Sequence, residues 1–158
     1  MVKQVPQLEV AVGVLLDREG RALITQRAQD SHMGGYWEFP GGKIVKGETQ
    51  LKGLVRELQE ELAIRVQYVR HLLRFSYLYP DWMVRLHVWQ VLCWEGEPLG
   101  MLRQPLRWTA VGELLSAGLL PADEAIVTAL KSPEAVNTLA WQAYADAVSG
   151  HCESACVG

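Results

Sequence analysis

Residues 49–62 carry the pattern of a helix, and that helix bears a burden that only a ligand would relieve. Leu51, Leu54, Val55, Leu58 and Leu62 recur at spacings of three and four, the mark of a helix with one apolar stripe. Thr49 is placed as an N-cap or first-turn residue, so the element is expected to run from Glu48 to about Leu62. Glu57, Glu60 and Glu61 fall at i, i+3 and i+4 on one face, opposite the stripe. Three adjacent like charges repel, and an isolated helix gains nothing from them. Hard divalent cations take oxygen ligands in such clusters, and a bound Mg2+ or Mn2+ would turn the repulsion into attraction. Arg56 adjoins the cluster and can hold one carboxylate through paired hydrogen bonds.

The segment before the helix, AQDSHMGGYWEFPGGKIVKGE, holds five glycines and one proline and reads as a long, shaped loop. Loops of that length in compact domains are mostly functional. Pro40-Gly41-Gly42 lets backbone approach a metal or phosphate closely, as glycine permits. Lys43 and Arg27 are the nearest candidates for phosphate oxygens. Ahead of the loop, residues 7–16 and 21–27 flank an Asp17–Gly20 turn and are expected to pair as a hairpin. Behind the helix, strands are expected near 66–79 and 83–94 around Pro80-Asp81, with a short strand at 106–110. A helical turn at 111–115 and a helix over 123–131 follow. Ser132-Pro133-Glu134 has cap, proline and acid in the order that starts another helix, running to about Val148 and stopping at Gly150. Its stripe of Val136, Leu139, Ala140, Ala143 and Ala147 is expected to pack on the preceding helix or on a partner subunit. Residues 151–158 are expected to be a disordered tail.

A chain of 158 residues suits one domain with a real core. Its net charge of −3 gives no support to a nucleic-acid polymer or an anionic membrane as partner. A phosphorylated small molecule must therefore be drawn in locally, by a few basic side chains or a metal. No run approaches the roughly 18 apolar residues of a membrane span. The start, MVKQVPQLEV, lacks the continuous apolar stretch of a signal peptide. Cys93, Cys152 and Cys156 make no disulfide framework, and no Cys/His spacing fits zinc. A reducing, cytoplasmic setting is expected.

Glutamate-rich helix faces are ordinarily solvated surface, and an isolated R-E-L-x-E-E would be read so. The spacing here is fuller. Gly42, five residues, Glu48, seven residues, then Arg56-Glu57-Leu58-Gln59-Glu60-Glu61-Leu62-Ala63-Ile64 resembles the Nudix box, G-x5-E-x7-R-E-U-x-E-E-x-G-U with U aliphatic. At average residue frequencies the eight matching positions would arise by chance in such a chain roughly once in a million, which sets the surface reading aside. Ala63 stands where the family has a glycine in the turn after the helix, a cost to stability that removes no ligand. The stretch ITQRAQDSHMGGYWEFPGGKIVKGET looks like the MutT-like branch of Nudix hydrolases, which remove pyrophosphate from nucleoside triphosphates such as 8-oxo-dGTP. The similarity covers about residues 8–131.

The resemblance implies an α/β fold: a Nudix α/β/α sandwich with a mixed β-sheet between helices, formed by residues 1–131. Residues 132–150 would add a C-terminal helix outside it, packed on the domain or forming a homodimer. The implied cofactor is Mg2+, with Mn2+ able to substitute, held by Glu57, Glu60, Glu61 and the carbonyl of Gly41. Arg56 and Glu48 complete the catalytic cluster, and Arg27 and Lys43 match phosphate-contacting positions. Phe39 lies where the base pocket begins, and Asp123 lies within it. The implied reaction is attack of metal-activated water on a phosphorus of a nucleoside triphosphate, giving the monophosphate and pyrophosphate.

Three positions depart from that branch. Leu102 stands six residues before Trp108, where relatives often carry a metal-binding glutamate, and Glu95 and Glu97 read as solvated loop acids more readily than as substitutes. Asp123, in Pro121-Ala122-Asp123, replaces an asparagine and also fits as the cap of the next helix. An ionised Asp only accepts hydrogen bonds, whereas Asn also donates. Trp82 replaces an arginine near the base. The expected substrate is 8-oxo-dGTP, as in nucleotide-pool sanitation, with a cytosine nucleotide (CTP, dCTP or a 5-substituted dCTP) as the alternative. A non-catalytic nucleotide-sensing domain is the competing class, and the complete set of box glutamates argues against it.

Overall fold

The first strand, β1 (Gln7–Leu15), is apolar almost throughout because both of its faces are covered. Val12 and Val14 face one core cluster, while Ala11 and Leu15 face another. In the computed structural model, which describes residues 4–132, nine regular elements are built around this strand. They are β1, β2 (Arg21–Gln26), β3 (Trp37–Glu38), β4 (Gly41–Lys43), α1 (Gln50–Leu62), β5 (Arg65–Leu78), β6 (Met83–Glu95), β7 (Leu106–Ala110) and α2 (Glu124–Leu130). Short 3-10 turns at Val111–Ala117 and Pro121–Asp123 lead into α2. The helix and tail expected beyond Ser132 lie outside the described residues.

Two sheets form. One has the order β4-β1-β6-β5, with β1 and β6 parallel and the other pairs antiparallel. The other, β3-β2-β7, is antiparallel. Leu54, Leu58 and Leu62 of α1 pack on one side of β1, and Ile126, Val127 and Leu130 of α2 join the cluster on the other. The expected sandwich, a mixed sheet between helices, is the one observed.

The expected β1–β2 hairpin is not. The turn itself is tight: Asp17 Oδ1 accepts from the N–H of Glu19 (3.0 Å) and of Arg21 (2.8 Å), and Oδ2 accepts from Arg21 Nε (2.7 Å). Beyond it the strands part, joined by the single bridge Leu16–Ala22. A strand has two edges, and β4 and β6 occupy both edges of β1, so β2 pairs elsewhere.

Helix α1 begins as the sequence suggests, with Thr49 Oγ1 accepting from the Lys52 N–H at 3.2 Å. Its buried face comprises Gly53, Leu54, Leu58, Glu61 and Leu62, while Leu51, assigned to the stripe, is 44% exposed. At its C-terminus Ala63 takes the left-handed conformation (φ 57°) in which its N–H donates to Gln59 O. The loop after β6 then caps the helix: Leu99 N–H donates to Leu62 O (3.0 Å) and Met101 N–H to Glu61 O (3.1 Å). Cys93 on β6 is buried, with its Sγ 3.2 Å from Gln67 Oε1. Among the described residues, no helix is long and apolar enough to cross a membrane.

Candidate active site

Two glycines let the helix carboxylates reach the backbone of β4. A Cβ on Gly41 (φ 151°) would sit 2.0 Å from the Ala11 carbonyl oxygen across the ladder, so no side chain fits there. A Cβ on Gly42 would sit 2.3 Å from a carboxylate oxygen of Glu57. Through this gap the Gly41 N–H donates to Glu61 Oε2 at 3.0 Å, while Thr25 Oγ1 on β2 donates to Oε1 at 3.3 Å.

Arg56 is the hub of the cluster. Its Nε and Nη2 donate to both oxygens of Glu48 (3.1 and 2.7 Å), and Nη1 donates to Glu57 (2.8 Å) and Glu60 (3.2 Å). Nη2 also donates to the Lys43 carbonyl at 2.9 Å, tying the helix to the glycine segment. Hydrogen bonds from Arg56 and from the Val45 N–H hold the Glu48 carboxyl below its ordinary range. Glu61 behaves oppositely. Burial pushes it up to about 7, against the Gly41 hydrogen bond and with help from the neighbouring charges of Glu38 and Glu57.

Among the described residues no group of three or more Asp, Glu, His or Cys side chains stands as a ready-made metal cage. Arg56 draws Glu57 and Glu60 to itself, and Glu61 turns inward. The donor set nevertheless suits a hard divalent cation: carboxylate oxygens from one helix face, beside a glycine backbone that leaves room for an ion.

A cavity of about 430 Å³ opens beside this cluster. Val10 and Val12 of β1, Val84 and Leu86 of β6, and Phe39 supply apolar walls, with Gly41, Gly42 and Lys43 on the side of the box. Phe39 is buried and Lys43 is exposed. Arg27 also lines the cavity, but its Nε donates to the His32 carbonyl (2.8 Å) and its Nη1 to Glu38 (3.1 Å).

Asp123 is buried in the wall, and its Oδ2 accepts from the Phe39 N–H at 2.9 Å. Its side chain makes no capping bond to α2, and its backbone is helical, so the helix-cap reading is corrected. Burial pushes this carboxyl up to about 8. The Phe39 hydrogen bond and the charge of Arg27 oppose the shift, and Glu38 adds to it.

Glu38 escaped the sequence reading. It lines the cavity beside Phe39, and burial raises its pKa against the pull of Arg27. The usable signal was an acid next to an aromatic in a segment otherwise built of glycine and proline. Leu102 is 73% exposed on the capping loop, Glu95 pairs with Arg65 at 3.8 Å, and Glu97 is exposed. The two loop acids stand as solvated acids would.

The NUDIX domain family matches residues 11–129. The chain is 41% identical over 125 residues to the 8-oxo-dGTP diphosphatase of Escherichia coli, covering 79% of this chain and 97% of that one. It is 33% identical over 126 residues to the CTP pyrophosphohydrolase of the same organism, covering 80% and 93%. Among solved structures, the E. coli ORF135 protein aligns with a TM-score of 0.73 at 32% identity, over 84% of this chain and 94% of its own. With Glu57 and Glu61 set against the Gly41-Gly42 wall of a nucleotide-sized cavity, the chain belongs to the NUDIX domain family and is a MutT-like Nudix hydrolase.

Proposed function

We propose that the protein hydrolyses nucleoside triphosphates to monophosphate and pyrophosphate with Mg2+, Mn2+ substituting, and that 8-oxo-dGTP is its substrate in nucleotide-pool sanitation. The observation that carries this reading is one continuous cavity running from the buried Asp123 to Gly41, Gly42 and Lys43 beside the α1 carboxylates. A base fits the apolar end and a triphosphate the end near the box.

Glu57, Glu60, Glu61 and the Gly41 carbonyl would hold the cation, which when bound neutralises phosphate charge and lowers the pKa of its water. Arg56 presents Glu57 and Glu60 and keeps Glu48 ionised. Lys43 meets the phosphates, as does Arg27 when it turns from Glu38. Asp123 reads the base edge with the oxygen not taken by Phe39. Below about pH 8 that carboxyl keeps its proton and can donate to guanine O6, which restores what an asparagine would offer.

Cytosine nucleotides are the second reading, favoured by the same Asp123: when ionised it accepts from an exocyclic amine such as cytosine N4. The similarity to a CTP pyrophosphohydrolase supports keeping it. Pyrophosphate release from 8-oxo-dGTP, dGTP, CTP and dCTP by purified protein, in Mg2+ and in Mn2+, tests both. Release from none of them would overturn the enzymatic reading of this cavity. The cytoplasm, where nucleoside triphosphates are made and used, is the compartment this function implies. The segment beyond Ser132 is read as a helix packed on the domain or joining two copies.

A further inference from the structure

Three aromatic rings from two separate segments frame the mouth of the cavity. Tyr79 and Trp82 come from the turn between β5 and β6, closed by the Tyr79 N–H donating to the Trp82 carbonyl at 2.8 Å. Their ring centroids lie 5.7 Å apart at 35°. His32 comes from the loop after β2, with its ring 4.4 Å from Trp82 at 65° and 6.1 Å from Tyr79 at 84°. All three line the cavity. They are half-buried or exposed where Val12, Leu86, Phe39 and Asp123 are buried, which puts the rings at the rim and the carboxyl at the floor.

Both supports of this rim are tied down. The Tyr79 N–H holds its turn closed on the Trp82 carbonyl, and Arg27 Nε holds the His32 carbonyl at 2.8 Å. An indole that lines the entrance of an apolar slot, half-buried, is placed to offer a flat π surface to what enters. A nucleobase entering toward Asp123 must pass against it, and stacking there is indifferent to the base's hydrogen-bond pattern.

We propose that Trp82, framed by His32 and Tyr79, is a specificity-determining residue that stacks on the base and ranks substrates by ring area. Purine nucleotides, including those oxidised at the ring edge, are favoured over pyrimidines before Asp123 reads any hydrogen bond. This rests on the nucleotide reading above and deepens it. It divides selection in two: the rim chooses the size of the flat surface, and the floor chooses the edge.

The test compares wild type, Trp82→Phe and Trp82→Ala with 8-oxo-dGTP, dGTP and dCTP, and uses inhibition by inorganic tripolyphosphate as a base-free probe. Trp82→Ala is expected to raise KM for the purine substrates by about tenfold to a hundredfold, from a stack of about 1–3 kcal/mol. The rise for dCTP is smaller, kcat is little changed, and Trp82→Phe recovers most of the loss. Inhibition by tripolyphosphate stays within about twofold of wild type, since no phosphate contact has been touched. Unchanged purine KM, equal losses for purine and pyrimidine, or an equal loss of tripolyphosphate inhibition would each overturn the proposal. Calorimetric binding of dGTP to the same variants keeps the two readings apart. If wild type releases no pyrophosphate, the enzymatic reading fails, while the stacking role is still judged on affinity.

Discussion

The Gly41 N–H and the Glu61 carboxylate are joined directly, N to Oε2 at 3.0 Å, so the innermost carboxylate of the helix is seated on the glycine backbone. This carboxyl titrates at about 7, from an ordinary value of 4.5, chiefly because it is buried. Folding therefore favours its protonated form. The metal-free protein is fully stable with respect to this group below about pH 4.5 and loses that contribution as pH rises to about 7, because the unfolded chain ionises first. Glu61→Gln should raise the metal-free Tm at pH 8 and leave it level at pH 4, while kcat falls by roughly 10²–10⁴. Glu57→Gln and Glu60→Gln should show similar rate losses without loss of folding. Thermal melts with and without Mg2+, beside pyrophosphate release, check this. Near wild-type rates for the Glu60→Gln, Glu61→Gln double variant would remove these residues from the site.

Asp123 has the same sign over another window. Its carboxyl rises from 3.8 to about 8, so its burial costs stability progressively as pH climbs through that range. Asp123→Asn keeps an oxygen for the Phe39 N–H and abolishes the titration. Its Tm advantage should widen from pH 4 to pH 8. The kcat/KM ratio of 8-oxo-dGTP to dCTP should move toward 8-oxo-dGTP by at least about tenfold above pH 8, and less at pH 6, where the native carboxyl already donates. A ratio unaltered by substitution at every pH would take Asp123 out of base recognition.

Arg56 binds three carboxylates and one carbonyl, so it counteracts the crowding of negative charge before any cation arrives. Arg56→Lys keeps the charge but cannot reproduce the planar fork on Glu48. The Mg2+ concentration for half-maximal rate should rise by about 10–100-fold, the usual result of disturbing partners of the ligands. A titration of rate against Mg2+ reads this out, and an unchanged midpoint would show that the guanidinium does not position the ligands.

Ala63 sits at φ 57°, where a Cβ is strained and glycine is not. Ala63→Gly should stabilise the protein by about 1 kcal/mol, raising Tm by about 4 °C. Turnover should not change, because the residue contributes no ligand. A fall in Tm would mean that the freedom glycine gives the unfolded chain outweighs the relief of strain.

Ending the chain after Ser132 removes no box residue. Mg2+-dependent turnover should survive, while Tm or molecular mass in solution falls if residues beyond 132 pack on the domain or join two copies. Scattering and a melt decide it, and unchanged values for both would assign that segment to a partner outside this chain.

The sequence revealed most where spacing alone decides. The three-and-four periodicity over 51–62 located α1, and Pro80-Asp81 located the turn between β5 and β6. It misled where a distant neighbour decides. The turn at Asp17 was correct, but β1 had both edges filled by strands far along the chain, which no local pattern around residue 17 announces. Glu61 looked like Glu57 and Glu60. Its burial depends on Thr25 and Gly41, 36 and 20 residues upstream. Asp123 had the composition of a cap, yet its partner is Phe39, 84 residues away. Glu38 gave no periodic signal because β3 is two residues long.

Glu61 is held at both ends. Its side chain bonds to Thr25 of one sheet and Gly41 of the other, and its carbonyl receives Met101 N–H and Gln104 Nε2 from the capping loop. It works as a rivet through three parts of the molecule, so the reacting end inherits the rigidity of the frame. Drift that loosens either sheet against the helix would blunt the chemistry, leaving the turns that carry Trp82 and His32 as the ground on which a lineage can change its diet.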